Sequence, residues 1–436
     1  MDLYHTFSTI IDRYYVSKSR VVLAFSGGVD SRVMLDLLAR YRNENNVRCL
    51  AVHVHHGLSE NADDWLNQCQ SWAEQANIEF VAERVQLSIE GKSLEECARE
   101  ARYQALSRHL NEHDLLLIGQ HSDDQIETFL LALKRGSGPK GLSGMAEAMP
   151  FGNATIIRPL LKISRKSIEE YASCHGLDWV EDESNTDSRF DRNFIRHNIS
   201  PLLTGRWPHF AQAVNRSAEL CSEQETLIEE LLQDKLNAAL SHDGSLDIEV
   251  IGLTSELSRA RLIRMWLANH KVRMPSRAHL SKIWLEVALA KHDANPILNL
   301  PDAQIRRFSG RLYVVKHTED ISHWHQGLHL NERVVLPDHS GWLELKTSDQ
   351  GNLDQHALMQ APLRVMFNPE GLSAHPAGRG HSRKLKKLFQ EYGVPSWQRR
   401  RMPILMCGEE VAAIAGLFID YRFTGQDCEL IWDKSL

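Results

Sequence analysis

Two short stretches of this sequence carry reactive residue types at useful spacings. The first is Ser26-Gly27-Gly28-Val29-Asp30-Ser31. Paired glycines let a backbone approach an anion closely, and a helix starting there turns unpaired N–H groups toward it. The second is His121-Ser122-Asp123-Asp124-Gln125-Ile126-Glu127-Thr128. A helix beginning near Asp123 puts Glu127 one turn from both Asp123 and Asp124, a cluster suited to a divalent cation or a cationic substrate. Each stretch also has a plain reading. Gly and Ser serve ordinary turns, and acids suit a first helical turn without any ligand. The glycine loop matches neither G-x-x-x-x-G-K-[ST] nor G-x-G-x-x-G.

The elements that must position these residues follow from periodicity. Val21 to Phe25 is an apolar run of strand length, and Val33, Met34, Leu37 and Leu38 give the following helix its buried stripe. Further strands are expected at 49–55, 79–85, 115–118 and 154–158, with helices at 63–76, 94–110 and 163–175. Strands spaced by helices predict an α/β fold, a mostly parallel sheet with helices on both faces. Ligands of such sheets lie beyond the carboxyl ends of the strands. The 26–31 loop, the 53–58 segment and the 119–127 segment all fall there, which favours a phosphate site. His53 and His55 share one strand face, and a packed or nucleotide-lining role is preferred to metal binding. Arg99 and Arg102, three apart on a helix with Glu95, Glu96 and Glu100 nearby, form either a solvated face or a phosphate contact.

Composition sets the outer limits. The chain has 436 residues, enough for two or three domains, and no apolar run long enough to span a membrane. Its start lacks a secretory signal, so a cytoplasmic location is expected. Seven dispersed cysteines without a C-x-x-C pair argue for reduced thiols rather than a zinc or iron–sulfur site. A net charge of −7 opposes indiscriminate nucleic-acid binding but leaves room for local basic patches.

Three such patches stand out. Arg135 and Lys140 lie in the glycine-rich stretch 134–141. Arg189, Arg192 and Arg196, with Asn193, fall on one surface if the segment turns helical after Ser188. Between Arg379 and Arg401 there are eight Lys or Arg and a single acid, Glu391: Arg379, Arg383, Lys384, Lys386, Lys387, Arg399, Arg400 and Arg401. A local charge of +7 in a chain of charge −7 points to phosphate. The second half otherwise reads as a helical middle domain (216–300, after a first domain 1–215), a turn-rich linker with short strands (301–360) and a small α+β domain (361–436). A hairpin is expected over 304–315.

As written, Ser26–Ser31 resembles the signature of the PP-loop ATP pyrophosphatases, which cut ATP between its α and β phosphates. With His53-Val54-His55-His56-Gly57-Leu58, the 121–128 string, the 134–145 loop and the 181–203 segment, the chain resembles the bacterial tRNA(Ile)-lysidine synthases over essentially its full length. The resemblance implies an enzyme that uses ATP to adenylate C2 of the wobble cytidine in a CAU-anticodon isoleucine tRNA, after which free lysine displaces AMP. It implies ATP contacts at Ala24, Ser26, Gly27, Gly28, Val29, Asp30, Ser31, His53 and His55. Mg²⁺ would sit on Asp30 and Asp123, and Asp124 and Glu127 would bind lysine, making Asp30, Asp123, Asp124 and Glu127 the catalytic set. The basic residues named above would contact tRNA, those of 361–436 at the acceptor region. A homodimer is among the assemblies the sequence allows. Rival readings are a tRNA thiolase, disfavoured by the dispersed cysteines, and a non-enzymatic tRNA-binding protein, which leaves the loop and the carboxylates without work.

Overall fold

The computed structural model describes residues 2–87, 94–291 and 294–434. It divides into two compact units, Met1–Ile228 and Glu229–Leu436.

The first unit opens with helix α1 (Leu3–Tyr14), capped by the Asp2 side chain on the Tyr4 amide. Strand β1 (Arg20–Ala24) leads into α2 (Val29–Asn45), and β2 (Arg48–His55) into α3 (Ala62–Gln75). Then come β3 (Glu79–Arg84), α4 (Leu94–Ser107), β4 (Leu115–Leu117), α5 (Ser122–Lys134), the single turn α6 (Pro139–Leu142), the hairpin β5 (Ala148–Phe151) and β6 (Ala154–Ile157), and α7 (Arg165–Cys174). The sheet runs β3-β2-β1-β4-β6-β5. All pairs are parallel except β5 with β6. Order reverses between β1 and β4, so a crevice opens at the carboxyl ends of those two central strands.

Central strands are buried on both faces and read as unbroken apolar runs. Val21 and Leu23 join the α1–α2–α7 side, with Phe7, Leu37, Leu117 and Ile168. Val22 meets Leu50, Val52, Leu106, Leu116 and Ile156 on the other. At ~25 cal/mol per Å² of apolar area, these two layers hold the strand ends rigid.

After α7 the chain forms a nearly continuous helical segment: α8 (Asp191–Phe194), a π-helical stretch (Ile195–Ile199) and α9 (Ser200–Arg206). The long helix α10 (Phe210–Ala239) follows.

In the second unit, helices Glu256–Asn269 and Arg277–Lys282 share one core with a four-stranded antiparallel sheet. The expected hairpin is present as Ala303–Phe308 and Arg311–Lys316, turning at Ser309-Gly310. Its Ile305 and Leu312 pack with Trp266 and Ile283, so it belongs to the helical core. The stretch expected as a linker also carries paired strands. His325–Gly327 pairs with Leu363–Met366, and Trp342–Thr347 lies between Glu332–Val335 and Cys428–Asp433. Alternating apolar residues there, such as Leu343 and Leu345, are core. The helix Leu385–Glu391 turns Leu385, Leu388 and Phe389 inward onto Ile404, Met406 and Ile414. Among the described residues no helix is long and apolar enough to cross a membrane.

Candidate active site at the carboxyl ends of the central strands

The loop after β1 is held open by its own hydroxyls. Gly27 has φ +88°, a conformation favouring glycine, and donates its N–H to Ser31 Oγ at 3.0 Å. Ser31 Oγ in turn donates to the Gly28 carbonyl at 3.0 Å and lies 3.1 Å from Ser26 Oγ. Gly28 is the N-cap of α2 and has no side chain to cap it, leaving the helix's first amides to an external anion. Backbone also crowds in from β4. A Cβ on Gly119 would stand 3.3 Å from the Ser31 amide nitrogen. Ala24 ends β1, and Val29 is buried at the start of α2.

His53 and His55 come up beside this loop on β2. His53 Nδ1 meets the Phe25 carbonyl at 2.9 Å, and His55 Nε2 lies 3.3 Å from Asp63 Oδ1. Burial keeps His53 below its ordinary pKa, against the pull of the Phe25 carbonyl. Burial, then the charge of Arg102, pushes His56 down to about 4. A neutral imidazole suits an adenine-lining role better than a charged one.

The carboxylates converge from two elements, α2 and α5. His121 caps α5, and a reciprocal capping box joins its backbone N–H to Asp124 Oδ2 at 3.0 Å. The buried His121 ring reaches Asp30 Oδ1 (3.6 Å), Asp123 Oδ2 (3.4 Å) and Asp124 Oδ2 (3.4 Å). Burial works against its charge, but the carboxylates outweigh burial and raise its pKa. Asp30 is raised, first by burial, against the opposing charges of His121 and Arg165. Asp123 moves the other way. Burial would raise it, yet His121 and the Arg165 amide hold it below the usual range.

Arg165 is a site residue that the sequence reading does not name, and His121 stands in the second stretch there without a role of its own. Arg165 donates its amide to Asp123 Oδ2 at 2.7 Å and its guanidinium to Asp30 Oδ2 at 2.8 Å. It stands 135 positions from Asp30, and no spacing rule connects the two.

Glu127 and Asp124 are met by arginines. Arg192 Nε donates to Glu127 Oε2 and Arg196 Nε to Glu127 Oε1, both at 2.6 Å. Their Nη2 groups reach Asp124 Oδ1 at 3.2 and 3.1 Å. In this structure Arg192 and Arg196 turn inward, where a buried carboxylate pair needs counter-charge, and Arg189 grips Asp187 at 2.7 Å. Arg135 and Lys140 are exposed, Arg135 at the C-cap of α5 and Lys140 on α6.

The C-terminal basic run is also partly spent internally. Arg379 and Arg383 both pair with Glu391, Arg400 with Glu370, and Arg401 with Asp338 at 2.6 Å. Arg399 Nε donates to the Val394 carbonyl at 2.9 Å. Lys384, Lys386 and Lys387 are exposed on and beside the Leu385–Glu391 helix. Of the expected phosphate contacts there, these lysines present their charge most directly.

The resemblance implies Mg²⁺ on Asp30 and Asp123. Among the described residues no group of three or more His, Cys, Asp or Glu side chains is arranged to hold a metal by itself. Mg²⁺ commonly takes only one or two carboxylates, with phosphate oxygens and waters completing its shell. Among the described residues Asp30 Oδ1, which is buried, has no hydrogen-bond partner, and Asp123 lies across His121 from it. These residues fit.

A phosphate-cradling loop at the switch point of a parallel sheet, faced by carboxylates, defines a nucleotide-using α/β domain. Residues 3–203 match the family model described as PP-loop domain. Two further models match, the TilS substrate binding domain over 246–313 and the TilS substrate C-terminal domain over 363–434. The chain is 57% identical over 436 residues to the tRNA(Ile)-lysidine synthase of Vibrio parahaemolyticus, covering 100% of this chain and 99% of that protein. The enzyme of that name from Vibrio vulnificus is 56% identical, with 99% of each covered, and that from Vibrio cholerae 52%, with 100% and 98% covered. The chain belongs to the tRNA(Ile)-lysidine synthase family.

Proposed function

We propose that this chain ligates lysine to C2 of the wobble cytidine (position 34) of the CAU-anticodon isoleucine tRNA, using ATP, in the cytoplasm. The cytidine O2 attacks the α-phosphorus of ATP and pyrophosphate leaves. The ε-amine of lysine then attacks C2, and the C2–O bond breaks to release AMP carrying that oxygen. The product reads AUA and is charged with isoleucine. The observation that carries this reading is the convergence of Asp30, Asp123 and Asp124, through His121, on the open N-terminus of α2.

Each residue has a task. Backbone at Gly27, Gly28, Val29 and Asp30, with the Ser26 and Ser31 hydroxyls, orients the polyphosphate, and Ala24, His53 and His55 line the nucleotide. Asp30 and Asp123 would hold Mg²⁺, which when bound supplies positive charge to the phosphates. Positioning of cytidine and ATP supplies most of the first step. Asp124, more accessible than the enclosed Glu127, orients the amine, and Glu127 acts through the arginines that share it. A positive neighbour also favours the uncharged, nucleophilic form of an amine. Arg135, Lys140 and the C-terminal lysines contact RNA phosphates.

The test is release of AMP that requires lysine, with the tRNA gaining the mass of one lysine less water; without lysine, pyrophosphate is released only up to one per tRNA. AMP release independent of lysine, or none with the CAU tRNA, refutes the reading.

A further inference from the structure

The geometry points to Arg165 as an internal counter-cation of the Asp30–Asp123 pair that changes partner, from Asp30 to a nucleotide phosphate, when a divalent cation arrives with ATP. This rests on the reading above that the polyphosphate lies at the 26–31 loop.

Arg165 touches both acids with different parts of itself. Its amide, fixed at the first position of α7, donates to Asp123 Oδ2 at 2.7 Å. Its Nη1 donates to Asp30 Oδ2 at 2.8 Å, and its Nε to Glu169 Oε1 at 2.8 Å. The backbone contact belongs to the scaffold and persists whatever the side chain does. The side chain is 39% exposed and has room to move. Asp30 meanwhile spends one oxygen on Arg165 and keeps the other, Oδ1, buried without a hydrogen-bond partner among the described residues.

Charge balance gives the direction of exchange. Without a cation, Asp30, Asp123 and nearby Asp124 repel one another, and Arg165 with His121 offsets that. A divalent cation on Asp30 supplies the same compensation more strongly and repels the guanidinium beside it. The displaced group then faces the anion that came with the metal, and a guanidinium fork suits phosphate. Arg165 thus disfavours bare metal and favours metal with nucleotide.

The two arms of the test have opposite signs. In the full-length chain without nucleotide, Mn²⁺ binding followed by electron paramagnetic resonance should tighten at least tenfold in Arg165→Gln. An Asp30→Asn change in that background should abolish the gain. Calorimetry with Mg²⁺ and α,β-methylene-ATP should show binding at least tenfold weaker in Arg165→Gln, with Arg165→Lys recovering part of it. Damage to the fold weakens both ligands together, so loss of both overturns the exchange. So does unchanged Mn²⁺ affinity, or tighter Mn²⁺ with unchanged nucleotide binding. Neither arm uses tRNA or lysine, so failure of the ligase assay leaves the Mn²⁺ arm standing by itself.

Discussion

Glu127 is fully enclosed on α5, and both of its carboxylate oxygens accept from Arg192 and Arg196, residues 65 and 69 positions later. An acid that looked ready to receive substrate is thus also the pin that fastens the Asp191–Arg206 segment to α5. Glu127→Gln keeps the shape and removes the charge. Loss of a partner in a buried pair costs ~3–5 kcal/mol, but arginines 27% and 32% exposed recover much of that from water. A loss of about 1–2 kcal/mol in urea unfolding is expected. An unchanged midpoint would mean that the segment is fastened elsewhere.

Asp124 permits a sharper separation of the two chemical steps. Asp124→Asn should reduce lysine transfer far more than ATP-dependent adenylation, so that adenylated tRNA accumulates in a single turnover. Equal loss of both steps would remove Asp124 from lysine handling and leave it a capping residue of α5.

Gly27 has a tighter constraint than its φ alone. A Cβ there would stand 2.7 Å from Cys69 Sγ and 2.8 Å from Val180 Cγ2, and its carbonyl already accepts from the Val180 amide at 3.0 Å. Gly27→Ala combines backbone strain with overpacking, together about 2–4 kcal/mol. Thermal melting should show that loss, and ATP binding should fall at least tenfold. Adding Cys69→Ala should restore part of the stability and little of the binding, because the loop conformation itself is altered.

These outcomes separate what the chain announced from what only folding could reveal. Apolar runs at Val21–Phe25 and Leu115–Leu117 announce central strands because both faces are buried, and Gly27-Gly28 announces the loop because few other residues turn so tightly. The acids at 123, 124 and 127 are local and visible. Their partners are not. Arg165, Arg192 and Arg196 arrive from distant helices, and a basic residue in sequence looks the same whether it will meet RNA or an internal carboxylate. The same ambiguity holds at Arg401, expected at phosphate and paired with Asp338 in this structure. Short strands such as His325–Gly327 carry too little periodicity to show, before pairing, that they join a sheet.

The pH response has a definite sign. His56, held at about 4 chiefly by burial, is neutral in the folded chain, whereas an unfolded imidazole titrates near 6.5. Between those values the unfolded state binds more protons, so this stabilising contribution is full above pH 6.5 and is lost as pH falls toward 4. Urea unfolding from pH 7 to 4.5 should fall more steeply in the parent than in His56→Asn, by up to about 1.4 kcal/mol per pH unit. Parallel curves would mean that His56 reaches water.

The C-terminal charges divide by what they already hold. Lys386 and Lys387 are exposed on a helix whose apolar side, Leu385, Leu388 and Phe389, is locked into a core, so their positions are fixed while their charges face water. Arg401 is committed to Asp338 Oδ2 and Ser340 Oγ. Replacing both lysines with glutamate should weaken tRNA binding tenfold or more and reduce the slope of log affinity against log salt by about 2, without moving the melting temperature. Arg401→Ala should do the reverse, lowering the melting temperature while leaving the salt slope within about 0.5 of the parent. A salt slope that responds to Arg401 and not to the lysines would place the RNA at Arg401 rather than along this helix, because counterions are released only where phosphate meets free cationic charge.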